Sequence, residues 1–212
     1  MREPRMLAAV LTCVAWLLLA TGPPAAQSAS LPSEPWSYYA SASVYIVEKD
    51  EDYVQPTIAA DRGRLHLETR FNYEDRDTGS AWVGYNFSVG EELLVEFTPM
   101  LGVVFGNTTG IAPGYKGSLS WRNLTLYSET EYVLDTDDSD DSFLYTWAEF
   151  TLAPADGWRA GLVVQRTKVY ETGFDIQRGV LLGFSYGRLE VTAHVFNPDE
   201  SPVVMLAAGA SF

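Results

Sequence analysis

Between residues 64 and 74 apolar and polar side chains alternate without a break. Leu65, Leu67, Thr69, Phe71 and Tyr73 fall on one face of an extended chain, and Arg64, His66, Glu68, Arg70, Asn72 and Glu74 fall on the other. Six successive polar positions cannot sit in a dry core, because each unpaired charge there would be strongly destabilising. One face therefore needs an apolar surrounding, and the other needs water or a network of partners.

The pattern recurs through the rest of the chain. From Trp36 onward no window of helical period is long enough to form a helix. Segments 36–47, 52–60, 64–74, 80–89, 92–105, 115–121, 124–134, 142–152, 158–169, 178–186, 188–197 and 202–212 read as strands. Pro56 weakens 52–60, since proline cannot donate to a ladder, and its loss would leave ten strands after merging of the first two segments. Pro99 lies on the apolar face of its segment and predicts a local bulge. Residues 106–114 read as a Gly-rich loop. Short connections (GEE, RN, PADG, YGR) alternate with longer ones (GNTTGIAPG, DTDDSDD, ETGFDI, NPDES).

Ahead of the strands, Arg2 and Arg5 form a basic start, Leu7 to Ala20 an apolar run, and Pro23 to Ser30 a small-residue stretch. This is the pattern of a secretory signal peptide, placed at residues 1–30, and the run is too short for a spanning helix. Cys13, the only cysteine, lies in that leader, so residues 31–212 have no disulfide or thiolate chemistry. The formal charge of -14 sets nucleic acid aside as a partner. The run Asp135 to Asp141 begins like a calcium loop but lacks the glycine at position six and the glutamate at position twelve, so a solvated acidic loop is expected and no metal.

At the end of the chain, Val204, Leu206, Ala208, Ala210 and Phe212 share one face of a last strand closed by an aromatic residue. This strand resembles the terminal strand of bacterial outer-membrane β-barrels, which the insertion machinery of that membrane recognises. The resemblance covers about residues 36–212. It implies an all-β fold, a transmembrane antiparallel up-and-down β-barrel of about 12 strands in the bacterial outer membrane. Phe212 would be the insertion signal, and lipid, lipopolysaccharide and the insertion machinery the partners, with no cofactor. The acidic loop would share divalent cations with lipopolysaccharide. Trp36, Tyr73, Tyr115, Trp121, Trp158 and Tyr186 would crowd the strand ends as aromatic girdles. A secreted sandwich or lipocalin-like cup shows the same alternation with its apolar face turned inward.

In the barrel, the polar faces line the lumen: Arg64, His66, Glu68, Arg70, Glu96, Glu129, Glu131, Glu149, Arg159, Gln165 and His194. Such charges must be paired or wet. Two functions fit them: a passive channel for small, cationic or neutral solutes, and a closed structural or adhesion-type barrel presenting acidic loops. Catalysis is the weaker expectation. Both histidines fall on the polar face, His66 beside Glu68 and Glu129, whereas outer-membrane phospholipases use a Ser with a His at the lipid-facing rim.

Overall fold

The computed structural model describes residues 34–47, 52–166, 176–199 and 202–212. The leader and the connections at 48–51 and 167–175 lie outside the described residues. The strands are β1 (Ser37–Val47), β2 (Tyr53–Arg62), β3 (Leu65–Phe71), β4 (Thr78–Tyr85), β5 (Phe87–Val89), β6 (Leu93–Gly106), β7 (Gly110–Trp121), β8 (Leu124–Asp135), β9 (Phe143–Ala155), β10 (Trp158–Arg166), β11 (Gln177–Tyr186), β12 (Leu189–Phe196) and β13 (Val203–Ser211). β4 and β5 pair with β6 in one continuous register, so they are two parts of a single wall strand. Every strand pairs antiparallel with its neighbour in the chain, and β1 pairs with β13 from Tyr39–Ser211 to Val47–Val203. The result is a closed up-and-down barrel of 12 strands.

Closure leaves no edge, which is the condition for strands in lipid, where a free backbone N–H or C=O finds no water. Followed once around the wall, the pairing returns to β1 displaced by about 14 residues, the stagger that tilts the strands and widens the lumen.

The strands face as their alternation requires. Ile58, Leu67, Phe71, Leu101, Val103, Leu162, Val180 and Leu182 point outward and are exposed, whereas Glu68, Arg70, Glu131 and His194 point inward and are buried. A sandwich or cup would reverse this. Two- and three-residue turns at 63–64, 90–92, 122–123, 156–157 and 187–188 gather at one end, and the other end carries the longer connections together with the three-residue 107–109. Arg122 opens its two-residue turn at φ 54°, the left-handed conformation such hairpins need. Trp36, Trp121, Trp158 and Tyr186 ring the short-turn end on the outside. The expected girdle loses two members: Tyr115 packs against Phe97 in the middle of the wall, and Tyr73 lies inside the barrel.

The prolines act differently from expectation. Pro56 sits within a full strand opposite Ala42, so the ten-strand alternative does not apply. The β2–β3 ladder ends beside it, at Thr57–Arg70, where Gln55 Nε2 donates to Asn72 O and Asn72 Nδ2 to Val54 O. At Pro99 the β6–β7 register runs unbroken from Leu93 to Val104, with no bulge. The interruption falls on the other neighbour, where Asn86 separates β4 from β5; its side chain donates to Asp61 and accepts from Thr98. Residues 110–114, expected in a loop, are strand: Ile111 faces outward and Ala112 is buried inside, so only 107–109 connect β6 to β7.

An arginine on the outward face near mid-wall tests this orientation. Leu162→Arg should destabilise the barrel by about 2–4 kcal/mol in equilibrium unfolding from lipid vesicles. A loss below about 0.5 kcal/mol, the usual cost at a water-exposed site, would refute a lipid-facing Leu162.

Candidate functional site in the barrel lumen

The inward faces of β3, β7 and β8 bring opposite charges together. Alternation places Glu68 and Arg70 on the same side of β3, and pairing puts Lys116 of β7 directly beside Glu129 of β8. Arg70 is the centre: its Nε donates to Glu68, and its Nη1 lies 3.0 Å from Glu131 Oε2, 3.2 Å from Glu129 Oε1 and 3.8 Å from Glu74 Oε1. Its guanidinium carbon lies 4.2 Å from the ring centre of Tyr73 and 4.8 Å from that of Trp82. The indole of Trp82 lies flat over Gly102, where a Cβ would meet ring atoms at 2.5 Å, so this position requires glycine. Lys116 bonds Glu68 and lies 3.8 Å from Glu129.

Two cations therefore serve four buried carboxylates. Arg70 Nη2, Glu74 Oε2 and Glu131 Oε1 are buried without a hydrogen-bond partner among the described residues. Tyr73 and Tyr127 both donate to Glu129. Glu74, in the 72–77 connection, accepts from Ser80 at 2.6 Å, and Ser80 accepts from Trp82 Nε1 at 2.9 Å. Burial pushes the Glu74 carboxyl up against the opposing pull of Arg70, and burial likewise raises the Tyr73 phenol. His66 extends the cluster, with Nδ1 2.8 Å from Asp61 and Nε2 3.2 Å from Glu68.

A second group lies on β9, β10 and β12. Glu149 Oε1 is 2.9 Å from His194 Nε2, and Glu149 Oε2 is 3.2 Å from Arg159 Nη1. Arg159 also donates to Thr192, and Gln165 donates to Gln177 at 2.6 Å.

The two halves of the lumen differ. Toward the long-loop end Tyr45, Val104, Val133, Phe143, Val163 and Phe196 are buried against one another and fill the interior. At the short-turn end a cavity of about 650 Å³ is lined by Thr125, Thr151, Arg159 and Glu190 together with the turn 156–157. A second, of about 240 Å³, lies between Glu96, Thr98, Lys116 and Tyr127.

Of the eleven residues expected along the lumen, ten point into it, with Glu96 exposed in the smaller cavity. Arg64 does not join them. Strand alternation ends at the 63–64 turn, and Arg64 is solvent-exposed, donating to the outward-facing Tyr85 hydroxyl at 2.8 Å. Phe212 exchanges backbone hydrogen bonds with Tyr38 across the β1–β13 seam. In the acidic run, Asp135 accepts from the backbone of Asp137 and Asp138, and Asp138 accepts from that of Asp140. Glu74, Tyr73, Lys116, Asp61 and Glu190 also belong to the lumen's polar set. Lys116 and Glu74 stand on polar faces in the sequence, but only the closed wall shows what they meet.

A closed twelve-stranded wall, apolar outside and charged inside, is an outer-membrane-type β-barrel. Among solved structures the chain is similar to a KdgM porin, with a TM-score of 0.56 at 10% identity over 82% of this chain and 99% of that one. It is similar also to the KdgM porin in complex with disordered oligogalacturonate, with a TM-score of 0.55 at 11% identity over 83% of this chain and 99% of that one. For the outer membrane protein Omp33 of Acinetobacter baumannii the TM-score is 0.47 at 10% identity, over 84% and 98% of the two chains. At these identities the likeness is one of fold. No protein family and no curated protein matches the sequence.

Two substitutions test the Arg70 cluster. Arg70→Met strands its carboxylates and should cost about 3–5 kcal/mol in urea unfolding at pH 8; a cost under 1 kcal/mol would show that they are not held by Arg70. Because burial raises the Glu74 carboxyl above its unfolded value, the stability it contributes is present below the usual carboxylate range and lost as pH rises through the folded value. Glu74→Gln should therefore be more stable than the native chain at pH 8 and equal to it at pH 4. Equal stability at both pH values would contradict the burial of an ionisable Glu74.

Proposed function

We propose that the protein is a passive channel of the bacterial outer membrane for small solutes, with a lumen lined by Arg and Glu that favours cations over anions. The observation that carries this reading is the inward charge balance. Glu68, Glu74, Glu96, Glu129, Glu131, Glu149 and Glu190 outnumber Arg70, Lys116 and Arg159, and Glu96 and Glu190 border open cavities. A lumen with surplus carboxylates attracts cations and repels anions. Neither cavity places a nucleophile beside a histidine, and the site holds and orders charge rather than performing bond chemistry.

The short turns face the periplasm and the longer connections the outside, with both termini periplasmic. Lipid surrounds the apolar wall, lipopolysaccharide meets the long-loop rim, and the insertion machinery reads the strand ending in Phe212. In the described conformation the outer half of the lumen is shut by its buried apolar residues and the Arg70 cluster. That filling favours one second reading, a closed structural barrel presenting its acidic loop.

Conductance of the purified chain in planar bilayers separates the two. Discrete cation-preferring steps are expected of a channel, and silence over many insertions at every pH of the closed barrel. Arg159→Glu should move the reversal potential further toward the cation value, while Arg64→Glu, on the outside of the wall at the short-turn end, should leave it unchanged. The opposite ranking would remove Arg159 from the conduction path.

A further inference from the structure

The connection 72–77 does more than join β3 to β4. Tyr73 reaches Glu129 on β8 and packs its ring 5.1 Å from that of Tyr145 on β9. Glu74 is fully buried against Ser80 on β4, Asp75 accepts from Thr108 at 2.8 Å in the β6–β7 connection, and Arg76 covers the Tyr53 ring of β2. The segment is thus pinned across the long-loop mouth. Its ends, Asn72 and Asp77, are both left-handed, at φ 56° and 50°, and Asp77 N donates to Asn72 Oδ1.

The same segment carries the unresolved charge. Glu74, from the 72–77 connection, and Glu131, from β8, approach one nitrogen of Arg70, and each keeps a buried oxygen without a partner among the described residues. With both ionised, two like charges and two unsatisfied acceptors remain in a buried space. A proton on either removes the repulsion and turns one acceptor into a donor.

We propose that Glu74 and Glu131 share a proton and that this proton latches the 72–77 segment in the lumen, so that the channel shuts in acid and opens as pH rises. The inference rests on the channel reading above. Its sign follows from linkage: seated Glu74 is buried and favours its protonated form, whereas released Glu74 is solvated and ionises readily, so seating takes up a proton.

The surrounding groups are consistent with this assignment. On β3, Glu68 lies on Arg70 and Lys116. On β8, Glu129 lies on Arg70, Lys116 and the hydroxyls of Tyr73 and Tyr127. β4 offers Thr78, Ser80 and Trp82, none of them titratable in this range, β9 the Tyr145 phenol and β2 the Tyr53 phenol. Within the segment, Asp75 and Arg76 are engaged with Thr108 and Tyr53. His66 lies between Asp61 and Glu68.

The test is single-channel recording of the full-length mature chain from pH 4.5 to 8.5. The native chain should gain at least tenfold in open probability across that range. Glu74→Gln and Glu131→Gln should each change less than twofold, and His66→Gln should keep the native rise. A staple, Asp75→Cys with Thr108→Cys in a mature chain that has no other cysteine, should hold the channel shut at every pH when oxidised and restore the native profile when reduced. Amide exchange of 72–77 in the native chain should speed up at least tenfold at the alkaline end, a readout independent of any variant. A native pH rise that persists in both glutamine variants, or through the oxidised staple, would overturn the latch and leave the channel standing. Silence at every pH even after deletion of 73–76 would overturn both.

Discussion

The whole molecule depends on the closed ladder. Hydrocarbon offers no hydrogen-bond partner, so β1 must find β13, and every strand between must satisfy both neighbours. Once the wall is closed, the period of two leaves no choice about the interior. Leucine, valine and phenylalanine go to lipid, and the residues between them go inside whether or not water follows. The charged lumen is thus a consequence of closure, and the Arg70 cluster is how the chain accommodates it. Where proline interrupts the ladder, side-chain amides stand in: Asn72 and Gln55 beside Pro56, and Asn86 across from Thr98, next to Pro99.

The two charge groups are treated differently along the axis. Arg159 and Glu190 border the wide cavity, where solvent-facing charges add little to stability. Arg70 is buried, its guanidinium over the rings of Tyr73 and Trp82 and surrounded by four carboxylates. A buried charge with several partners is costly to disturb, which makes that half of the lumen rigid unless the charge itself changes. Tyr39 supports the wet group by donating to Glu190 at 2.6 Å, and Arg159 reaches both Glu149 and Thr192 from the cavity wall.

Nearly all of the wall was legible in the sequence, because period-two alternation is a local property and each strand carries it independently. What failed was also local in origin. Pro56 and Pro99 look like defects in the sequence because Asn72 and Asn86, which repair the ladder beside them, lie in other segments of the chain. Gly110, Pro113 and Gly114 were read as loop, although the small residues allow close approach to β8, where a Cβ at Gly114 would meet backbone at 2.8 Å. Tyr73 and Glu74 continued the alternation of β3 on paper, but the strand ends at Phe71 and the chain turns inward through Asn72. Arg64 kept the parity of His66 while sitting in a turn, where parity has no meaning.

Which charges meet was not legible at all, and the reason lies in geometry. Alternation assigns a residue to the inside without saying at what height or opposite which strand. Those depend on the stagger of the closed wall, a sum over every register around the barrel. Arg70 and Glu131 are 61 positions apart in sequence, and a shift of two residues in any pairing between them would keep both inside yet separate them along the axis. The partners of Arg70 are therefore a property of the complete ring, and the composition of the lumen can be read long before its connectivity.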